Sequence, residues 1–236
     1  MTAIALTLME TDRLNAFSLL NRLAVEAGAC SFGVASVAEM TSACGSLPPM
    51  EELAKFPCAV SVGYRLSDAI MESLTEGPTR LYAYHYRAVN KELDSIALRL
   101  ATEIQRLGYA ACPVPSSQVI DWANDLGHAS HRWAAYHAGL GWYGRNNLIV
   151  SPRYGARVRY VTIFTDIPLP TGKPLAQDCG ECRACISVCP AGAIVERREE
   201  FNLAKCREQL RVFRNQWNIG HNICGLCIKA CPGSRG

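Results

Sequence analysis

Long apolar runs are missing from this chain of 236 residues, and no stretch approaches the roughly 20 apolar residues a membrane-spanning helix needs. The start, Met1 to Arg13, lacks a basic segment, and its short apolar stretch runs into Glu10 and Asp12, which is the pattern of neither a signal peptide nor a membrane anchor. Low-complexity tracts are missing, and the glycine and proline contents are ordinary for a globular protein. Charge of one sign is also missing: 24 basic against 21 acidic residues leave a formal net charge of +3. With no export signal, the twelve cysteines do not read as a disulfide scaffold. A reducing cytoplasm, with no membrane partner, is the expected setting. The length suffices for one large domain, or one domain and a small module.

What is present is an ordered set of cysteines. Eight fall at Cys179, Cys182, Cys185 and Cys189-Pro190, then Cys206, then Cys224, Cys227 and Cys231-Pro232. C-x2-C-x2-C-x3-C-P is the spacing by which bacterial ferredoxins hold [4Fe–4S] clusters, the fourth cysteine serving the other cube. The second half is a variant whose first cysteine is displaced to Cys206. Crossing the fourth ligands gives one cluster on Cys179, Cys182, Cys185 and Cys231, and another on Cys189, Cys206, Cys224 and Cys227. Each oxidised cube with four thiolates carries about −2, so two would bring the formal +3 to roughly −1. Basic groups remain at Arg153, Arg157 and Arg159, and at Arg197, Arg198, Arg207, Arg211 and Arg214. They either balance the clusters and nearby Glu196, Glu199, Glu200 and Glu208, or form a docking surface for an acidic redox partner or RNA.

Ahead of the cysteines the pattern alternates helices with strands. Residues 11–29 carry apolar side chains at helical spacing, started by Thr11-Asp12 and stopped by Gly28. Strands are expected at 31–37, 57–64, 109–114 and 158–165. Helices are expected at 50–55, 79–107 (ended by Gly108) and 129–138. This predicts an α/β (α+β) sheet domain over residues 1–170 and a cluster module over 171–236, joined near Thr171-Gly172-Lys173-Pro174.

Residues 137–157 are unusual in composition. Gly139, Gly141 and Gly144 remove three Cβ atoms from six positions, Trp142 and Tyr143 offer planar surfaces, and Arg145, Asn146 and Asn147 offer donors. Two readings fit: a backbone that lets something flat approach, or a tight helix-to-strand turn around a buried tryptophan.

The run from Ala138 to Asn146, followed by the first cysteine set and the displaced Cys206 set, resembles epoxyqueuosine reductase and the iron–sulfur half of corrinoid reductive dehalogenases. The resemblance covers roughly residues 80–232. It implies two [4Fe–4S] clusters, a cobalamin held in a nitroreductase-like domain, and a ferredoxin-like double-cluster module. It also implies electrons supplied by a flavodoxin or ferredoxin type of donor protein. By resemblance, Gly141, Trp142, Tyr143, Gly144, Arg145, Asn146 and Asn147 line the corrinoid site. An acidic proton donor lies thirteen positions before the alanine of this run in the family, which lands on Asp125. Such a donor suits reductive epoxide opening, because the alkoxide must be protonated. The surroundings depart from the family's Asp-Ser-x-Pro and Glu-Arg pattern, and Asp125 equally reads as a cap for the helix starting near Ala129. Relatives continue into a helical-repeat region that helps hold tRNA, whereas this sequence ends at Gly236. The resemblance therefore carries over the redox core more firmly than the tRNA substrate.

His128 and His131 are further candidates for a catalytic pocket, beside His85, His137 and His221. Tyr82 to Tyr86 loosely resembles a Tyr-His pair of the family or is plain helix packing. Cys30, Cys44, Cys58 and Cys112 lack metal spacing and read as small core residues. The expected function is a cobalamin-dependent iron–sulfur reductase. The alternative is a non-catalytic, ferredoxin-like electron carrier without corrinoid.

Overall fold

The structure, a computed structural model, describes residues 3–42, 51–121, 126–231 and 233, with side chains from Asp12 onward. The chain is α+β. In order it forms α1 (Ala3–Glu26), β1 (Ser31–Ser36), α2 (Val37–Ser42), α3 (Glu51–Ala54), β2 (Cys58–Arg65), α4 (Asp68–Glu72), α5 (Arg80–Arg106) and β3 (Ala111–Val114). Then come α6 (His131–His137), β4 (Trp142–Tyr143), β5 (Ile149–Val150), β6 (Val158–Thr165), α7 (Ala184–Ser187), α8 (Leu203–Gln216) and α9 (Leu226–Lys229). None of the described helices is long and apolar enough to cross a membrane.

The residues divide into two compact units that are interleaved along the chain. The first comprises 1–64, 91–140 and 160–174, and is built on a four-stranded sheet of order β1-β2-β6-β3. The β1–β2 and β3–β6 pairs are both antiparallel. One sheet face packs Ala35, Ala59, Val114 and Phe164 against Val37 and Met40 of α2, Leu53 of α3, and Ala134 and Ala138 around α6. A Cβ at Gly33 would stand 2.9 Å from the Ala138 carbonyl oxygen, so glycine lets the segment ending α6 lie directly on β1. Trp133 fixes the same packing by donating its indole N–H to the Met40 carbonyl at 2.8 Å.

The second unit comprises 65–90, 141–159 and 175–236. It holds α4, the first three turns of α5, the β4–β5 hairpin and all eight spaced cysteines. Arg157 ties its ends: the guanidinium donates to Asp68 (2.9 Å), Glu72 (2.7 Å) and the Lys229 carbonyl (2.7 Å). Lys229 Nζ reaches back to the carbonyls of Glu72 (3.1 Å) and Leu74 (2.7 Å), so α4 and α9 are joined from both sides.

Several elements differ from expectation. Helix α1 begins at Ala3, because the apolar stretch before Thr11-Asp12 continues the helix instead of preceding it. It still stops before Gly28, whose φ of +92° suits glycine. The buried side of α5 is formed by Tyr82, Val89, Leu93, Ile96, Leu100 and Ile104, while Leu81 and Tyr84, which share the apolar pattern, face solvent. Helices α2, α4, α7, α8 and α9 lie outside the elements expected from the sequence.

Candidate functional site

Burial and mutual repulsion sort the eight thiols. Cys185, in α7, has its pKa pushed up to about 11 by burial and then by Cys231, Cys179 and Cys182. The Cys231 thiol is raised chiefly by burial, with Cys179 and Cys182 adding to it. Those four residues form one neighbourhood. Cys224 is pushed up to about 11 by burial, then by Cys206 and Cys189. Cys227 stands well above the usual thiol range through burial, reinforced by Cys224, Cys206, Cys185 and Cys189. Those residues form the second neighbourhood, with Cys185 at the boundary. Thiols held apart from water and raised by each other lose their protons only to a positive partner, which a metal centre supplies.

A mononuclear ion does not fit. Tetrahedral thiolate bonds of ~2.3 Å would bring sulfurs to about 3.8 Å from one another. Among the described residues no three His, Cys, Asp or Glu side chains converge to hold a metal ion in this way. A cube takes one thiolate per iron, so its sulfurs stand farther apart than around a single ion. None of the described cysteines is joined in a disulfide. Beside the first neighbourhood a cavity of about 620 Å³ is lined by Cys179, Cys182, Cys231, Trp142 and Val150.

The segment from Gly141 to Asn147 turns out to be a hairpin bearing on that cavity. Trp142 pairs with Val150 and Tyr143 with Ile149. The turn closes through Gly144 N–H to the Leu148 carbonyl and Asn147 N–H to the Gly144 carbonyl, both 2.9 Å, with Asn147 at φ +57°. The glycines serve the chain itself. A Cβ at Gly141 would stand 2.3 Å from the Val150 carbonyl oxygen, and one at Gly144 2.6 Å from Val150 Cγ2. Of the two readings of this segment, the tight turn with a buried tryptophan accounts for both glycines.

Arg145 is fully committed. Its Nε donates to the Glu196 carbonyl (2.8 Å), and its two terminal nitrogens donate to the carbonyls of Cys182 (3.0 Å) and Gly180 (2.8 Å). One guanidinium thus clasps the loop between the first two cysteines. Tyr143 lies under the Arg198 guanidinium, 4.8 Å from its ring centroid. Asn146 is buried, and its Oδ1 accepts from Leu148 N–H at 3.2 Å. Two buried donors of the hairpin have no protein partner, Trp142 Nε1 and Asn146 Nδ2. They are what it has left to give a bound group.

Asp125 lies outside the described residues. On either side of its segment, Asp121 and Leu126 exchange backbone hydrogen bonds at 3.2 and 3.0 Å. Helix α6 is capped by Ser130, whose side chain accepts from Trp133 N–H, so that helix does not use Asp125 as its cap. His128 has a buried Nδ1 without a partner. His131 is engaged at both nitrogens, by the Thr162 hydroxyl at 2.9 Å and the Pro115 carbonyl at 3.0 Å. Because the carbonyl only accepts, Nε2 donates to it, and the ring ties together residues of the first unit. His137 is buried against Trp133 and Tyr136, with neither nitrogen partnered, and burial lowers its pKa.

The Tyr82–Tyr86 segment and its neighbours surround the second neighbourhood. The Tyr82 ring would be 2.8 Å from a Cβ on Gly225, and burial, with Cys227 and Cys224 adding to it, pushes its hydroxyl above the usual range. Tyr86, one turn later, lies 5.9 Å from the His221 ring and 4.3 Å beneath the Arg159 guanidinium. Arg159 Nε donates to Asn90 Oδ1 at 2.6 Å. His85 accepts from Ser67 N–H at 3.0 Å, which makes it a helix-end tie.

No family model matches the chain. It is 32% identical to epoxyqueuosine reductase of Bacillus cereus over 120 residues, covering 48% of this chain and 31% of that protein. A reductive dehalogenase structure, described as suggesting a mechanism for B12-dependent dehalogenation, superimposes with a TM-score of 0.67 at 23% identity, over 91% of this chain and 31% of that one. An epoxyqueuosine reductase bound to an epoxyqueuosine-modified tRNA stem loop gives 0.61 at 21%, over 93% and 65%. The likeness expected from Ala138–Asn146 and the cysteines is therefore found in both sequence and fold. The chain spans about half, or less, of the length of the curated relatives it matches.

Proposed function

We propose that the chain is an iron–sulfur reductase of the epoxyqueuosine-reductase type, working in a reducing cytoplasm. Two [4Fe–4S] clusters, one on Cys179, Cys182, Cys185 and Cys231 and one on Cys189, Cys206, Cys224 and Cys227, carry its electrons. The observation that carries this reading is the sorting of the eight thiols into those two neighbourhoods. Residues 171–236 then act as a ferredoxin-like module and residues 1–170 as a nitroreductase-like domain for a corrinoid.

When bound, the corrinoid supplies the reducing metal centre for the substrate step. Trp142 Nε1 and Asn146 Nδ2 are the donors that fit it, while Gly141, Gly144 and Arg145 support the first cluster loop. Because the Gly141–Asn147 hairpin is tied to that loop, the first cluster is the delivering one and the second receives. Asp125 donates the substrate proton, a role supported by the release of α6 capping to Ser130, and the unpartnered Nδ1 of His128, three residues on in sequence, offers a relay. The tRNA-bound relative makes a modified stem loop the first substrate to test.

A carrier without corrinoid is favoured by one observation, that most of the hairpin's groups are already used by the chain. Titrating the anaerobically reconstituted protein with hydroxocobalamin separates the two. A saturable change in the corrinoid's visible spectrum and cobalt EPR is expected, and no change at saturating protein would leave the carrier. Asp125→Asn should then slow turnover at unchanged corrinoid affinity.

A further inference from the structure

Near the first cysteine neighbourhood two arginines are neutralised: Arg183 pairs with Glu196 at 2.5 Å and Glu181 at 3.4 Å, and Arg145 with Glu196 at 3.7 Å. Near the second, Arg87 of α5 and Arg214 of α8 both act on His221, lowering its pKa after burial, the largest cause, has done so. Neither meets a carboxylate among the described residues. Both are exposed. Arg87 sits 5.8 Å over the ring of Tyr84, itself 65% exposed, and Trp217, 42% exposed, lies one helical turn beyond Arg214. Arginine, tyrosine and tryptophan exposed together make the composition of a binding hot spot. Tyr86, beside Arg87, has its ring 5.9 Å from that of His221, and the Arg214 carbonyl accepts from Gly220 N–H at 3.4 Å, so both arginines flank the loop that leads into Cys224.

We propose that the α5–α8 face centred on Arg87 and Arg214 is the docking surface for an acidic one-electron carrier protein. It rests on the assignment of the second cluster above. Its occupant follows from charge complementarity: two uncompensated cations over a redox centre steer a protein of opposite charge. One electron leaves the reduced carrier and enters the oxidised second cluster, with no bond made and no proton moved. RNA fits the face less well. Binding phosphates takes many cations at once, and the face offers two that no carboxylate neutralises.

The test uses the reconstituted full chain and two probes, a reduced flavodoxin and a reduced acidic ferredoxin. Stopped-flow bleaching of the cluster absorbance gives the second-order rate. R87E/R214E is expected to lower that rate about tenfold or more with at least one probe and to abolish its dependence on salt. Reduction by dithionite and iron content should stay unchanged, and the milder R87Q/R214Q should fall between. Wild-type protein holding far fewer than about eight irons would overturn the cluster assignment itself. Full iron with unchanged rates for both probes would overturn the docking surface alone. So would unchanged rates together with lost binding of a tRNA stem loop, which would give the face to RNA.

Discussion

Cys179-Gly180-Glu181-Cys182 and Cys224-Gly225-Leu226-Cys227 share one spacing and live in opposite surroundings. Both glycines have positive φ, +46° and +90°. A Cβ on Gly180 would meet nothing within 4 Å, whereas one on Gly225 would stand 2.7 Å from Leu74 and 2.8 Å from the Tyr82 ring. The residue that follows is 95% exposed at the Glu181 side chain and 7% exposed at Leu226. Spacing thus chooses ligands and does not choose environment. The first set is held from outside by Arg145 and opens on a cavity; the second is packed into the unit beneath α5.

The largest effect should come from removing ligands. Cys206→Ala is expected to cost about half the iron and one of the two reduced-state EPR signals, and Cys182→Ala the other half and the other signal. Undiminished iron in Cys206→Ala would break the pairing of the sets.

Next come the glycines. Gly225→Ala combines overpacking with a left-handed backbone and should cost ~2–4 kcal/mol, seen as a lower thermal midpoint and faster loss of the second cluster to a chelator. Gly180→Ala should cost about 1 kcal/mol and touch only the first. Equal losses would erase the contrast.

Arg145 offers a smaller, one-sided effect. Arg145→Gln removes two hydrogen bonds to the loop, a third to the Glu196 carbonyl, and a positive charge near the first cluster. It should loosen that loop by ~1–3 kcal/mol and lower the potential of the first cluster only, as read by EPR-monitored redox titration. Lysine should not rescue it, because a single ammonium cannot reproduce the fork.

The smallest effect concerns pH. His221 has a lowered pKa, so its folded environment disfavours the proton; stability is full above the unfolded value near 6.5 and falls as pH drops below it. No histidine lies between Leu175 and Pro190. On mild acidification the second EPR signal should fade before the first, and Arg214→Gln should delay it by a fraction of a pH unit.

Much of this was legible in the sequence where a period or a spacing carried it. Helix α5 and strands β2 and β6 followed from apolar repetition, and the cysteines from their intervals. Arg145 was legible only as a donor. Its acceptors are three backbone carbonyls, from Gly180, Cys182 and Glu196, and carbonyls leave no mark in a sequence. Gly141 and Gly144 suggested an approaching ligand because a sequence cannot say whether the missing Cβ makes room for a cofactor or for Val150. The partner of Tyr82 was hidden for a related reason: Gly225 lies far along the chain, and the contact is long-range.

The crossing of the fourth ligands tests the account most directly. Reduced-state EPR of Cys231→Ala and Cys189→Ala, compared with Cys182→Ala and Cys206→Ala, assigns each to a cluster. The account predicts that Cys231→Ala loses the same signal as Cys182→Ala, and Cys189→Ala the same signal as Cys206→Ala. The reverse assignment, with Cys189 lost alongside Cys182, would contradict it.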